Sequence, residues 1–84
     1  MQHFQNLKHC MQRELQVRVG ERIAELRNSK KISQQQFSYE ADMERTYISH
    51  IEKGRKNISL STLEKITRAL GVSIKEFFDN KEFK

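Results

Sequence analysis

Apolar residues recur at spacings of three and four along most of this chain, which is the period of an α-helix. The clearest pairs are Phe37 with Ala41 and Ile48 with Ile51, and each pair places two apolar side chains on one helix face. The sequence has no alternating run of strand length and no proline. The pattern therefore predicts an all-α fold built from short helices.

Capping residues and glycines mark where these helices begin and end. Ser33 precedes Gln36 by three residues and Ser73 precedes Glu76 by three, which is the spacing of the capping box. Gly54 suits the left-handed residue that commonly ends a helix. The predicted helices are residues 17–30, 33–40, 45–53, 60–70 and a short fifth helix after residue 73. Within the first of them, Gly20 lies on the inner stripe and would permit a close approach by another helix.

Residues 1–16 precede the predicted bundle and are polar and rich in glutamine. Their apolar residues also follow the helical spacing: Phe4, Leu7, Met11 and Leu15. An additional amphipathic helix here could pack on the bundle, lengthen the first helix or fray, and the sequence leaves these alternatives open. His3, His9 and Cys10 are a weak candidate for a metal site, because the chain has one further histidine and no matching cysteine spacing. We expect no metal.

The third predicted helix has an outward face that is polar along its length. With Ile48 and Ile51 turned to the core, the side chains left outside are Arg45, Thr46, Tyr47, Ser49, His50 and Lys53. This face offers hydrogen-bond donors, an aromatic ring and positive charge. One helix fits the major groove of DNA, about 12 Å wide, and an arginine there can donate two hydrogen bonds to guanine. A face that is simply solvated is the alternative.

The segment QQQFSYEADMERTYISHIEKGR, residues 34–55, resembles the helix-turn-helix of the phage repressor and Cro family, also called the XRE family. The run RTYIS and the loop Asn57-Ile58-Ser59 are similar to the restriction-modification controller proteins. The resemblance covers about residues 17–79 and implies a five-helix, phage-repressor-like bundle. Asp42 stands where the family prefers glycine at a corner with positive φ, which aspartate tolerates better than most residues. Glu44 stands at the start of the recognition helix, where it is a weak cap.

The resemblance also implies roles for particular residues. The expected base contacts are Arg45, Thr46, Tyr47, Ser49 and His50. The expected phosphate contacts are Ser33, Gln34, Arg55, Lys56 and Asn57. The family's glutamine at position 34 would also brace the recognition helix. Arg22 is expected to pair with Glu25 on the surface, with a phosphate contact as the alternative. The expected homodimer interface is Val72, Ile74, Phe77 and Phe78, since these apolar residues cannot all be buried in one small domain.

Charge and composition agree with this reading and exclude several others. The net charge is +5 and residues 69–84 contribute none of it, so the positive charge lies toward the helix-turn-helix. A single cysteine excludes an internal disulfide, and no apolar run reaches the ~20 residues of a membrane span. No nucleophile motif or Gly-rich phosphate loop is present, so we expect no enzyme, no cofactor and no small-molecule ligand. The expected location is the cytoplasm.

The sequence therefore predicts three segments: residues 1–16 as an N-terminal extension, 17–80 as the helix-turn-helix domain, and 81–84 as a charged tail. The expected function is sequence-specific binding of double-stranded DNA by a homodimer on a palindromic operator, as an autoregulatory transcriptional regulator. The resemblance to controller proteins extends this expectation to control of a restriction-modification system. An antitoxin and a phage-type repressor, which would use the same fold, are the alternatives.

Overall fold

The computed structural model describes the backbone of residues 2–83 and the side chains of residues 14–81 and 83. Throughout this part of the chain the regular structure is helical, which confirms the predicted all-α fold. The elements are α1 (Gln2–Ser29), α2 (Gln34–Ala41), α3 (Arg45–Glu52), α4 (Leu60–Leu70), α5 (Ile74–Phe78) and a 3-10 turn (Lys81–Phe83).

The first helix is much longer than the 14 residues predicted for it. It has 28 residues and runs without a break across the predicted boundary between residues 16 and 17. The helix is therefore lengthened at its N-terminal end, as one of the three alternatives proposed. The side chains of residues 1–13, including His3, His9 and Cys10, lie outside the described residues. The division of the chain into an extension and a domain stays a prediction.

Each of the first four helices ends on a residue with positive φ, at Lys31, Asp42, Gly54 and Gly71. At every one of these corners the amide of that residue bonds the carbonyl three residues earlier, and the next amide bonds the carbonyl five residues earlier. This pair of bonds is the Schellman motif, which satisfies carbonyls that a helix end leaves free. The φ of 54° at Asp42 confirms the corner predicted there, whereas the left-handed Lys31 was not predicted.

Serine side chains begin three of the helices. The capping box predicted at Ser73 and Glu76 is complete, because each side chain bonds the other residue's backbone amide. At Ser33 the predicted box is half formed. The serine accepts a bond from the Gln36 amide, but the Gln36 side chain donates to Glu40 on its own helix.

The core is assembled from all five helices. Its buried apolar residues are Ile23, Phe37, Ala41, Ile48, Ile51, Leu63, Ile66, Leu70 and Phe77. The C-terminal end contributes as well, because the Phe83 ring lies 4.9 Å from the Phe78 ring and 6.3 Å from the Phe77 ring. Within the segment predicted as a charged tail, residues 81–83 thus lie against α5 through the Phe83 ring.

Helix α1 contacts α3 through backbone atoms at Gly20. A Cβ placed on Gly20 would lie 2.2 Å from the carbonyl oxygen of Ile51 and 3.0 Å from that of Glu52. These separations are far below van der Waals contact, so any side chain here would force the two helices apart. The close approach predicted at this glycine is therefore confirmed, and it sets the distance between α1 and the last turn of α3.

Arg22 fixes α5 against α1. Its guanidinium donates to the carbonyl oxygens of Phe77, at 2.7 Å, and Glu76, at 2.8 Å, and it forms the predicted pair with Glu25. Asn80 donates to the same Glu25 carboxylate. Because α5 has five residues and cannot be stable alone, this contact holds it in place. The alternative role of Arg22 as a phosphate contact stays a prediction.

We predict that Gly20→Ala lowers the free energy of unfolding by about 2–4 kcal/mol, because the added methyl group collides with backbone that cannot move away. In a helix free of such contact the same change would raise stability by about 0.5–1 kcal/mol, so the sign alone is informative. Urea denaturation measures it, with Asn28→Ala on the exposed side of α1 as the control. An increase in stability would contradict the close contact.

Candidate nucleic-acid interface

Helix α3 presents the polar face that the sequence predicted. Ile48 and Ile51 are 1% and 2% exposed and lie in the core, which confirms the register of the helix. On the other side, Arg45 and Thr46 are exposed. The remaining three predicted base contacts are half-buried: Tyr47, Ser49 and His50. Tyr47 also packs against the core, so part of its ring supports the helix.

Helix α3 does not stabilise itself. It has eight residues, fewer than an isolated helix needs, and the side chain of Glu44 at its start makes no capping bond. The weak cap expected at Glu44 is confirmed. The orientation of α3 must therefore come from its contacts with the other helices.

An ion pair supplies much of that orientation. Arg27 on α1 donates to both carboxylate oxygens of Glu52, from Nε at 2.7 Å and from Nη2 at 3.0 Å. The side chains are 12% and 6% exposed, so water hardly competes with the pair. The hydrogen bond to Glu52 is the largest influence on the pKa of Arg27 and raises it, against the opposing effect of burial. An arginine side chain is charged throughout the ordinary pH range, and this contact favours the charged form further.

Gln34 extends this pair to a third helix. Its Nε2 donates to the Glu52 carboxylate at 3.1 Å, which ties the start of α2 to the end of α3. Arg27 also donates from Nη1 to the carbonyl of Ile32, at 2.8 Å, and so holds the turn before α2. Gln34 thus braces the recognition helix as expected, while its contact with phosphate stays a prediction.

The sequence analysis missed Arg27 and Glu52, although a signal for both was present. Arg27 lies four residues after the core residue Ile23, and Glu52 lies four residues after the core residue Ile48. At that spacing both side chains share the inward face of their helix. A cation and an anion at inward positions of two different helices indicate a buried pair.

The loop after α3 is basic and exposed. The side chains of Arg55, Lys56 and Asn57 all reach solvent. Across the described part of the chain, the side chains of Arg45, Arg55 and Lys56 form no hydrogen bond or ion pair with other residues, so their charges are available to a ligand. Ser33, the remaining predicted phosphate contact, is exposed, and its hydroxyl accepts the bond that caps α2.

The predicted dimer interface needs one correction. Phe77 is 0% exposed within a single chain and belongs to the core, so it has no surface to offer a second copy. Ile74 is 47% exposed, and Val72 and Phe78 are half-buried. The sequence analysis could not separate the two neighbouring phenylalanines, because successive helix positions differ in direction by about 100° and either could point inward.

Leu60 is a further apolar surface residue that was not predicted. It begins α4 and is 85% exposed, more than any other large hydrophobic residue of the described chain. It lines one shallow groove together with Phe78, Ile58 and Leu15. Leu60 and Phe78 therefore belong to one apolar surface.

The described residues contain neither a cluster of metal ligands nor a membrane-spanning helix. Among their side chains, no three histidine, cysteine or acidic residues are grouped so that they could hold a metal ion. None of the helices in this part of the chain combines the length and apolar character required to cross a membrane.

Comparison with known proteins agrees with the geometry of this surface. A family model described as helix-turn-helix matches residues 23–77. The chain is 41% identical over 70 residues to the control protein C.BamHI of Bacillus amyloliquefaciens, covering 82% of this chain and 86% of that protein. It is 40% identical over 70 residues to the control protein C.MunI of a Mycoplasma species, covering 82% and 95%. Among solved structures, the restriction-modification controller protein C.Esp1396I, as a tetramer in complex with its natural 35-base-pair operator, superposes with a TM-score of 0.78 at 35% identity, covering 82% and 93%.

We predict that Glu52→Leu lowers the free energy of unfolding by about 2–4 kcal/mol, because Arg27 is left without its partner in a poorly solvated position. Adding Arg27→Met should recover much of that loss, since the two apolar side chains can pack together. Urea denaturation of the single and double variants measures both effects.

The control for this pair is Glu64→Ala, which breaks the exposed pair between Glu64 and Arg68, 3.7 Å apart on α4. It should change stability by about 0.5 kcal/mol or less. Losses that add fully in the double variant would show that Arg27 and Glu52 do not act as a pair.

Proposed function

This chain belongs to the helix-turn-helix family and is a DNA-binding regulator of the restriction-modification controller type, and we propose that it acts as a homodimer on a palindromic operator. The observation that carries the proposal is the two-sided character of α3. Its apolar residues are locked in the core, while Arg45 projects into solvent without a partner in the described chain.

In the proposed complex α3 enters the major groove. Arg45 and Thr46 lie in its first turn, the part of a recognition helix that reaches base edges. Arg45 would donate two hydrogen bonds to one guanine. Tyr47, Ser49 and His50 would complete the contact surface, with Tyr47 positioned by its partial packing on the core.

Phosphate contacts would fix the register of α3 in the groove. The proposed contacts are the basic loop Arg55, Lys56 and Asn57, with Ser33 and Gln34 at the start of α2. Contacts of this kind add affinity without sequence information and make binding depend strongly on salt. The unpaired charges of Arg55 and Lys56 support their assignment.

The proposed dimer interface consists of Val72, Ile74 and Phe78, together with Leu60, which lines one groove with Phe78. A two-fold axis would bring the same patch from both copies together and place the two α3 helices about 34–36 Å apart, one turn of DNA. C.Esp1396I occupies its 35-base-pair operator as a tetramer. That length is about three turns of duplex, which would accommodate two such dimers side by side.

We further propose that the protein controls its own promoter and a linked restriction endonuclease gene, in the cytoplasm of a prokaryotic cell. The similarity to C.BamHI and C.MunI supports this role over the antitoxin and phage-repressor alternatives. Response to protein concentration follows from dimerisation, since the dimer fraction rises steeply as the chain accumulates.

We predict that Arg45→Ala weakens binding to the operator by about 1–3 kcal/mol and relaxes the preference at one base position. Lys56→Ala should weaken binding to all duplexes by a similar factor and reduce the slope of log affinity against log salt by about one. The operator is first obtained by selection from a random duplex pool, and affinities are then measured by titration.

Glu21→Gln, at an exposed position of α1, is the control and should leave binding unchanged. Selection that enriched no sequence with the wild-type protein would refute the proposed function. If Arg45→Ala bound the operator as tightly as the wild type, Arg45 would have no part in base recognition, but the proposed function would stand.

Charged substitutions on the proposed interface should weaken dimer formation. Leu60→Arg and Ile74→Arg should each raise the dimer dissociation constant at least tenfold, because a charged side chain then faces its own copy across the axis. Stability of the monomer should change little, since both residues are exposed. Sedimentation equilibrium measures the constant. Tyr39→Arg, an exposed aromatic residue on α2, is the matched control, and an equal effect there would contradict the proposed interface.

A further inference from the structure

The loop that follows α3 is tied to α1 at its first residue. The side-chain amide of Gln16 donates from Nε2 to the carbonyl oxygen of Gly54, at 2.9 Å and partly shielded from water. Gly54 is the left-handed residue that ends α3, with a φ of 75°. Its carbonyl leads directly into the peptide of Arg55, so a bond to this oxygen restrains the orientation of the loop.

Val17 presses on the same residue from α1. A Cβ placed on Gly54 would lie 2.7 Å from Val17 Cγ2 and 2.9 Å from Val17 Cα. Gly54 therefore packs directly against both the backbone and the side chain of Val17. The residue that starts the loop is held by packing and by a hydrogen bond, both of which come from α1.

Beyond this point the loop has few restraints of its own. The Arg55 amide bonds the carbonyl of His50, but none of the amides of residues 56–58 has a backbone partner among the described residues. The next anchors are Ile58, which packs against the core, and Ser59, which caps α4. The three residues between the anchors carry the side chains proposed to grip phosphate.

We infer that Gln16 and Val17 are positioning residues for DNA binding: they hold the loop so that Arg55 and Lys56 face the phosphate backbone. The inference rests on the proposed function and goes beyond it, because neither residue is expected to touch DNA. Both precede the segment matched by the helix-turn-helix family, on the part of α1 that continues toward residue 2. Through Gln16 and Val17, α1 would thus contribute to DNA affinity without contacting DNA.

The variant Gln16→Met tests the inference, because methionine has a similar length and cannot donate the hydrogen bond. We expect affinity to fall about three- to tenfold for the selected operator and for an unrelated duplex of equal length alike, since phosphate contacts carry no sequence information. The salt slope should decrease by up to about one. Sequence preference, measured as the ratio of the two affinities, should not change.

A double-variant cycle distinguishes positioning from a general loss of stability. If Gln16 acts through the loop, Gln16→Met should cost less in a Lys56→Ala background than in the wild type. Asn28→Ala, at an exposed position of α1, is the control and should bind as the wild type does. Urea denaturation of each variant confirms that the proteins compared are folded at the titration temperature.

Unchanged affinity of Gln16→Met would overturn the inference, and so would losses that add fully with Lys56→Ala or that affect the operator alone. These outcomes are separate from failure of the proposed function. If the proposed function fails, the wild-type protein itself selects no duplex. If only the inference fails, the wild type binds its operator and Gln16→Met gives one of the contradicting results.

Discussion

The placement of the recognition helix depends on the shielded ion pair between Arg27 and Glu52. Helix α3 is too short and too weakly capped to fix its own position, and the pair joins its last turn to α1 and, through Gln34, to α2. Removing two charges from water is costly unless their hydrogen bonds are satisfied. Here the carboxylate receives three, two from the guanidinium and one from the amide. Hydrogen bonds are more directional than apolar packing, so this network adds an angular restraint on α3 to the packing of Ile48 and Ile51 in the core.

The glycine at position 20 complements that network by setting distance. The absence of a side chain lets two backbones touch, and Arg27, about two turns further along α1, then lies close enough to Glu52 to form the ion pair. One side of α3 is therefore occupied by contacts with the other helices. On the other side, the charges of Arg45, Arg55 and Lys56 have no partners in the described chain. Unpaired positive charges of this kind suit a surface that binds a polyanion.

Local features of this fold could be predicted from the sequence because they are encoded within a few residues. The helical period and the capping box at Ser73 each depend on near neighbours, whereas the left-handed Asp42 was expected from the family resemblance. The pair between Arg27 and Glu52 spans 25 residues, and its existence follows from how the helices cross. The inward choice of Phe77 over its neighbour likewise depends on where α5 docks, which local pattern does not specify. At the candidate site, the register of α3 and the exposure of Arg45 and Thr46 could be predicted, and the family resemblance gave Gln34 as a brace. The ion pair that Gln34 joins could not be predicted in this way.

The bonds between Arg22 and two carbonyls of α5 have a consequence for the DNA that the proposed dimer would accept. They attach α5 to α1, and α1 contacts α3 at Gly20 and through Arg27, so direct contacts connect the proposed dimer surface to α3. One base pair inserted at the centre of the proposed operator would move the half-sites apart by about 3.4 Å and rotate one against the other by about 35°. Because these contacts fix the two proposed surfaces relative to each other, we expect the protein to discriminate spacer length as well as base sequence.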